Sequence, residues 1–162
     1  VVLPYFSGAR SPVNDENARG IMVGLTLTHT RIHLYKALLE GIAYEIRHNF
    51  EVMAEAGVDP KRIIAVGGGT KSRVWTQLVS DILGKEQYCV EQEEGAPLGA
   101  AYLAGLGLGV IPGPACIREQ YVKTERIVKP SAKSKKRYEG YYEIYRVLYE
   151  ETKNSMKKLA QL

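Results

Sequence analysis

The feature that most constrains this chain is a short β-branched run that ends in three glycines and restarts as an amphipathic helix. Arg62-Ile63-Ile64-Ala65-Val66 reads as a buried strand, and Gly67-Gly68-Gly69 breaks it. Trp75, Leu78, Val79 and Ile82 then recur at the i, i+3, i+4, i+7 spacing of one helical face. Glycines in such a turn let backbone amides approach a ligand without interference from Cβ. They also aim that ligand at a helix N-terminus, where free N–H groups and the dipole favour a phosphate. The stretch reads as a nucleotide-phosphate site.

Two phosphate-binding patterns can be set against it. The P-loop needs a glycine directly before its Lys-Ser pair, but Thr70 precedes Lys71-Ser72, so that pattern fails. The dinucleotide fingerprint wants glycine or alanine where Ser72 stands, although Glu91 follows at the distance of a ribose-binding acid. A tight strand-to-helix turn with no ligand is the bland alternative.

A chain of 162 residues suffices for one ordinary domain with its own core. With 45% hydrophobic and 25% charged residues, it has the composition of a soluble globular protein. No apolar run approaches the roughly 20 residues that cross a bilayer, and the first residues do not read as a signal peptide. Cys89 and Cys116 lack metal or redox spacing; a buried reduced thiol is expected at Cys89, and a reducing cytoplasm fits. The net charge of +4 comes from one end, since Lys129 onward holds 9 Lys/Arg against 4 Asp/Glu. The residues before it hold 13 against 14. Such a tail reads as a solvated helix face, and nucleic acid is not an expected partner.

Along the chain, Val1 to Gly20 is loop-like, punctuated by Pro4, Gly8, Pro12, Asn14, Asp15 and Asn17. A short strand, Ile21 to Leu25, follows. Thr28 or Thr30 can cap the next helix, which carries Tyr35, Leu38, Leu39, Ile42, Ile46, Phe50 and Met53 on one face and ends at Gly57. After the Trp75 helix, Gly84 is a C-cap and Gln87–Glu91 a second strand. Pro97 suits the first turn of a helix from Ala96 to Leu106, whose small residues predict close packing on a neighbour. Gly105 to Pro114 reads as a linker, and Arg118 to Val128 has no clear period. Tyr138, Tyr141, Tyr142, Tyr145, Leu148, Tyr149, Met156 and Leu159 mark a long terminal helix, its tyrosines for packing rather than base stacking. Alternating strands and helices give an α/β domain, and about three strands are few for a complete sheet. The chain reads as part of a larger protein, with 1–128 as the body and 129–162 as a basic, Tyr-rich helix packed on it.

Two blocks resemble a known family. Leu3-Pro4-Tyr5-Phe6-Ser7-Gly8-Ala9-Arg10-Ser11-Pro12, with Asn17-Ala18-Arg19-Gly20 and Gly24-Leu25-Thr26, is similar to the C-terminal domain of the FGGY carbohydrate kinases, most of all their xylulose kinases. Gly20, Met22, Gly24, Leu25, His33, Leu34, Ala37, Leu39 and Glu40 match the family signature. Gly67-Gly68-Gly69 through Gln77 and Asp81, then Glu94-Gly95-Ala96-Pro97-Leu98-Gly99-Ala100-Ala101, match its nucleotide-binding half. Asn14, where many members have an aromatic, and Leu38, where the signature has a smaller or β-branched residue, depart from the pattern.

The resemblance implies an actin-like, ribonuclease-H-like ATPase domain, present incompletely. It implies transfer of the γ-phosphoryl of ATP to a sugar hydroxyl, with Mg²⁺ on the phosphates. Gly67, Gly68 and Gly69 would line the α-phosphate and adenosine, and Ser72 would meet the adenine. Gln77 and Asp81 would be structural, and Arg10, Asp15 and Arg19 would hold the long loop. The general base is expected in a part preceding Val1, as is most of the sugar site, so Asp15, Asp59 and Asp81 are not assigned catalysis. Xylulose is the first sugar, then other pentuloses, gluconate or glycerol. A non-catalytic actin-like nucleotide-binding module and an NAD-binding domain are the competing classes, and homo-oligomerisation stays open.

Overall fold

The computed structural model describes residues 1–90, 95–116 and 123–162. Glu91, Glu94 and the segment from Arg118 to Val122 therefore lie outside the described residues, together with what was expected of them.

The opening is not all loop. Val2–Leu3 (β1) pairs antiparallel with Ile21–Met22 (β2), with Val2 opposite Met22 and Leu3 opposite Ile21. Two residues are too few to show a period, so only pairing reveals this strand. The loop between them closes on itself, as Ala9 and Asp15 exchange backbone hydrogen bonds of 2.8 and 2.9 Å. Asp15 Oδ1 accepts from the Asn17 N–H at 2.8 Å, and Arg19 donates to the carbonyls of Glu16 and Ala18. Arg10 does not join them through its side chain, which is exposed.

Arg31–Glu55 (α1) starts at Thr30, whose N–H donates to His33 Nδ1 at 3.1 Å. It stops where Gly57, at φ 81°, turns the chain into a left-handed conformation. Its fully buried residues are Gly41, Ala43 and Tyr44; of the expected stripe, Leu39 and Ile46 pack partly buried against the core, whereas Tyr35 is 66% exposed. The helix is pressed on two sides. A Cβ at Gly41 would stand 2.5 Å from the Val2 carbonyl oxygen, so only glycine lets β1 approach. The Tyr44 ring meets tyrosines of the last helix on the other side.

Ile63–Ala65 (β3), Arg73–Leu83 (α2) and Gln87–Val90 (β4) form the expected parallel crossover, with Ile63 opposite Gln87 and Ala65 opposite Cys89. Contrary to expectation β3 is not buried, since it has a strand neighbour on one side only among the described residues and Ile64 is exposed. Gly84, at φ 65°, ends α2 and donates to the Ser80 carbonyl. Gly95–Gly107 (α3) follows. Contrary to expectation its small side chains are largely exposed and only Tyr102 is buried. The neighbour that small residues predict is not supplied by the described residues. Thr124–Val128 (β5), in the stretch that showed no period, lies antiparallel to β4, giving the sheet order β3-β4-β5.

Ala132–Leu159 (α4) packs on α1 and α2. Tyr138, Tyr142, Tyr145, Leu148 and Met156 enter the core with Tyr44, Leu78, Val79 and Ile82, whereas Tyr141 and Leu159 face outward. Tyr142 and Tyr145 stack with centroids 6.0 Å apart, and the Tyr5 and Tyr145 hydroxyls share a buried hydrogen bond of 3.1 Å. The tyrosine stripe is packing, as its rhythm predicts.

Candidate functional site at the glycine turn

The turn leaves the end of β3 at Gly67, whose φ of 85° and ψ of 178° an L-residue with a Cβ rarely adopts. The chain does not pass directly into α2. Gly68–Lys71 form one turn of 3₁₀ helix, and α2 begins after it, capped by Ser72. The glycine amides thus head the 3₁₀ turn, where the first N–H groups have no partner within the helix. This corrects the expectation that they head the amphipathic helix itself.

The three glycines differ in surroundings. Among the described residues nothing would lie within 4 Å of a Cβ at Gly67 or Gly68, and these residues leave the space before the turn open. A Cβ at Gly69 would come within 3.3 Å of the Trp75 indole. Thr70 ties the turn back on itself, with its N–H and hydroxyl both donating to the Gly67 carbonyl, at 3.0 and 2.8 Å. Ser72 Oγ accepts from the Trp75 N–H at 3.2 Å, an N-cap with the hydroxyl in the exposed part of the chain. A Cβ at Gly95, the first described residue of α3, would lie 4.0 Å from Val66 Cγ2.

One residue of this site escaped sequence reasoning. Arg126, half-buried on β5, donates from Nη2 to the Thr70 carbonyl at 2.8 Å and from Nη1 to Thr76 Oγ1 at 3.1 Å. Nothing in its sequence surroundings marks it, because the strand that carries it shows no apolar alternation.

The three aspartates are engaged elsewhere. Asp81 Oδ1 accepts from Gln77 Nε2 and from the Ser131 N–H, both at 2.8 Å, and so fixes the start of α4. Asp15 Oδ2 accepts from the Tyr149 hydroxyl at 2.8 Å; burial first, then Asp15, pushes that phenol up to about 12. Hydrogen bonds from Lys61 and Lys85 hold the exposed Asp59 carboxyl below its ordinary range. Among the described residues no three His, Cys, Asp or Glu side chains gather as a metal site. Cys89 and Cys116 are free thiols, Cys89 buried, and no helix of the described residues is long and apolar enough to cross a membrane.

Residues 1–108 match the family model for the FGGY family of carbohydrate kinases, C-terminal domain. This chain belongs to that family. It is 35% identical over 150 residues to a xylulose kinase of Staphylococcus epidermidis, covering 93% of this chain and 30% of that protein. A ligand-bound xylulose kinase from Lactobacillus acidophilus superposes with a TM-score of 0.87 at 28% identity, over 98% of this chain and 32% of the other. A Plasmodium falciparum glycerol kinase solved with ADP gives 0.73 at 26% identity, over 90% and 30%. The fold is therefore part of the actin-like ATPase fold of the FGGY kinases, and the chain spans about 30% of the curated relatives it matches.

Proposed function

We propose that this FGGY chain supplies one wall of the ATP site in a kinase that phosphorylates a sugar hydroxyl, with xylulose the first acceptor to test. The observation that carries the reading is the open turn at Gly67 and Gly68, set at the end of a parallel strand. Ligands of open α/β sheets collect outside the carboxyl ends of strands, where this turn lies. The glycine amides would face the α-phosphate and the adenosine. Ser72 Oγ already accepts from Trp75, which leaves its O–H to donate to the adenine. Xylulose is favoured by the xylulose kinases among the relatives, and the reduced thiols suit a cytoplasmic enzyme.

Phosphoryl transfer is mostly positioning and electrostatics around the transferred group. On this reading the chain positions the nucleotide, and Asp15, Asp59 and Asp81 serve the hydrogen bonds they make within the fold. Mg²⁺ would travel on the ATP phosphates. Among the described residues no three His, Cys, Asp or Glu side chains gather to hold it.

Gly68→Val in the whole kinase tests the reading. A branched side chain would fill the open space, and the KM for ATP should rise at least tenfold while the KM for sugar stays nearly constant. Equal change in both constants, or none, favours a purely structural turn. Comparing kcat/KM for xylulose, ribulose, gluconate and glycerol decides the acceptor.

A further inference from the structure

The glycine turn has little to hold it in place. A four-residue 3₁₀ segment is intrinsically weak, and Gly67 and Gly68 have no side chains to pack. What holds it is a polar network beneath. Arg126 bridges the Thr70 carbonyl and Thr76 Oγ1, and the Thr76 hydroxyl itself donates to the Ser72 carbonyl at 3.2 Å. Gln87 Nε2 donates to the Thr76 carbonyl and to Ser80 Oγ, both at 2.8 Å, and Ser80 Oγ donates to the Val128 carbonyl at 3.1 Å. Thr76, Ser80 and Gln87 are buried, so these bonds are shielded from competing water.

We propose that Arg126 is a positioning residue for the nucleotide, acting through the Thr70 carbonyl without touching the ligand. The proposal rests on the reading that the glycine turn meets ATP. The guanidinium is a rigid planar fork, so its two bonds fix the spacing between turn and helix as a single flexible donor would not. The Thr70 carbonyl shares its peptide plane with the Lys71 N–H. Anchoring that oxygen orients the plane, and through the short turn the glycine amides that precede it. A shift of about 1 Å in such a support can cost a hundredfold in an active site.

The test uses the whole kinase with Arg126→Gln, Arg126→Lys and Gly68→Val. Arg126→Gln should raise the KM for ATP roughly tenfold, the equivalent of one charge-assisted hydrogen bond, with the KM for sugar unchanged. Hydrogen exchange should quicken in the peptide holding Thr70 and Ser72 and stay constant elsewhere. Arg126→Lys should recover only part of the loss, because one ammonium does not reproduce the fork. If Gly68→Val raises the KM for ATP and Arg126→Gln does not, the positioning role is overturned and the nucleotide reading stands. If Gly68→Val has no effect, the nucleotide reading falls, and the role built on it with it. Faster exchange throughout the protein, with both KM values moving together, overturns the proposal in favour of a general stabilising role. Full recovery by Arg126→Lys overturns the bidentate geometry.

Discussion

Ser72 holds two positions at once, and two substitutions separate them. Ser72→Ala removes the cap on α2 and should cost about 1 kcal/mol of stability, whereas Ser72→Gly, a tolerated N-cap, should cost only a few tenths. Both remove the hydroxyl proposed to meet adenine, so both should weaken ADP binding by about 0.5–1.5 kcal/mol. Thermal melting and ADP titration read the two effects apart; unchanged ADP affinity in both variants leaves Ser72 a cap alone. Gly41 is decided by a contest of magnitudes. Helix propensity favours alanine by roughly 1 kcal/mol. Yet the added Cβ would sit 2.5 Å from the Val2 carbonyl oxygen, and such overpacking costs about 1–3 kcal/mol. Gly41→Ala should therefore lower the melting temperature, and a rise would show that β1 yields easily.

Between α1 and α4 the packing is as much polar as apolar. Arg47 reaches Glu139 with two bonds of 3.0 and 2.7 Å and stands over the Tyr142 ring, while Glu51 accepts from Tyr142 and Arg146. His48 lies beside this cluster with a buried Nδ1 that has no partner among the described residues. Burial, and secondarily Arg146, pull its pKa below the ordinary 6.5, against the smaller opposing pull of Glu51 and Glu55. The unfolded chain then binds the proton more readily, so stability is full above pH about 6.5 and falls as pH drops through that value toward the lowered one. Melting temperature should fall from pH 7.5 to 6, and His48→Gln should flatten the slope. Glu45, whose pKa burial raises, acts in the opposite sense nearer acid, which is why the window stops at 6.

At this scale the legible and the illegible part company. The β3–α2–β4 crossover and the long tyrosine helix announce themselves, because each carries one strong period or an unambiguous break. The α1 face is only partly legible, because that helix is pressed from two sides and a single stripe describes Leu39 and Ile46 but not Gly41 and Ala43. β1 and β5 stayed hidden because short strands owe their existence to partners. Arg126 was invisible for the same reason: its role is set by which carbonyl lies across from it.

For the molecule as a whole, the proposed reading gives this chain one wall of the nucleotide site and assigns it no catalytic base. Proximity and orientation can supply about 7–11 kcal/mol of barrier reduction, and a chain with no assigned base or sugar site forgoes most of it. The purified 162-residue chain should show no sugar-dependent ADP release with xylulose, ribulose, gluconate or glycerol. Turnover above the sugar-free background would place a catalytic base within these residues.

One property of the sheet bears on how such a chain behaves in a tube. Among the described residues β3 is joined to a neighbour on one side only, and Ile64 and Val66 are exposed. A bare strand margin of this kind is adhesive: a row of backbone donors and acceptors pairs with whatever extended segment arrives first. In a concentrated solution of this chain that segment would come from a second copy, so light scattering should rise with concentration, and the absence of such a rise would show that the margin is covered.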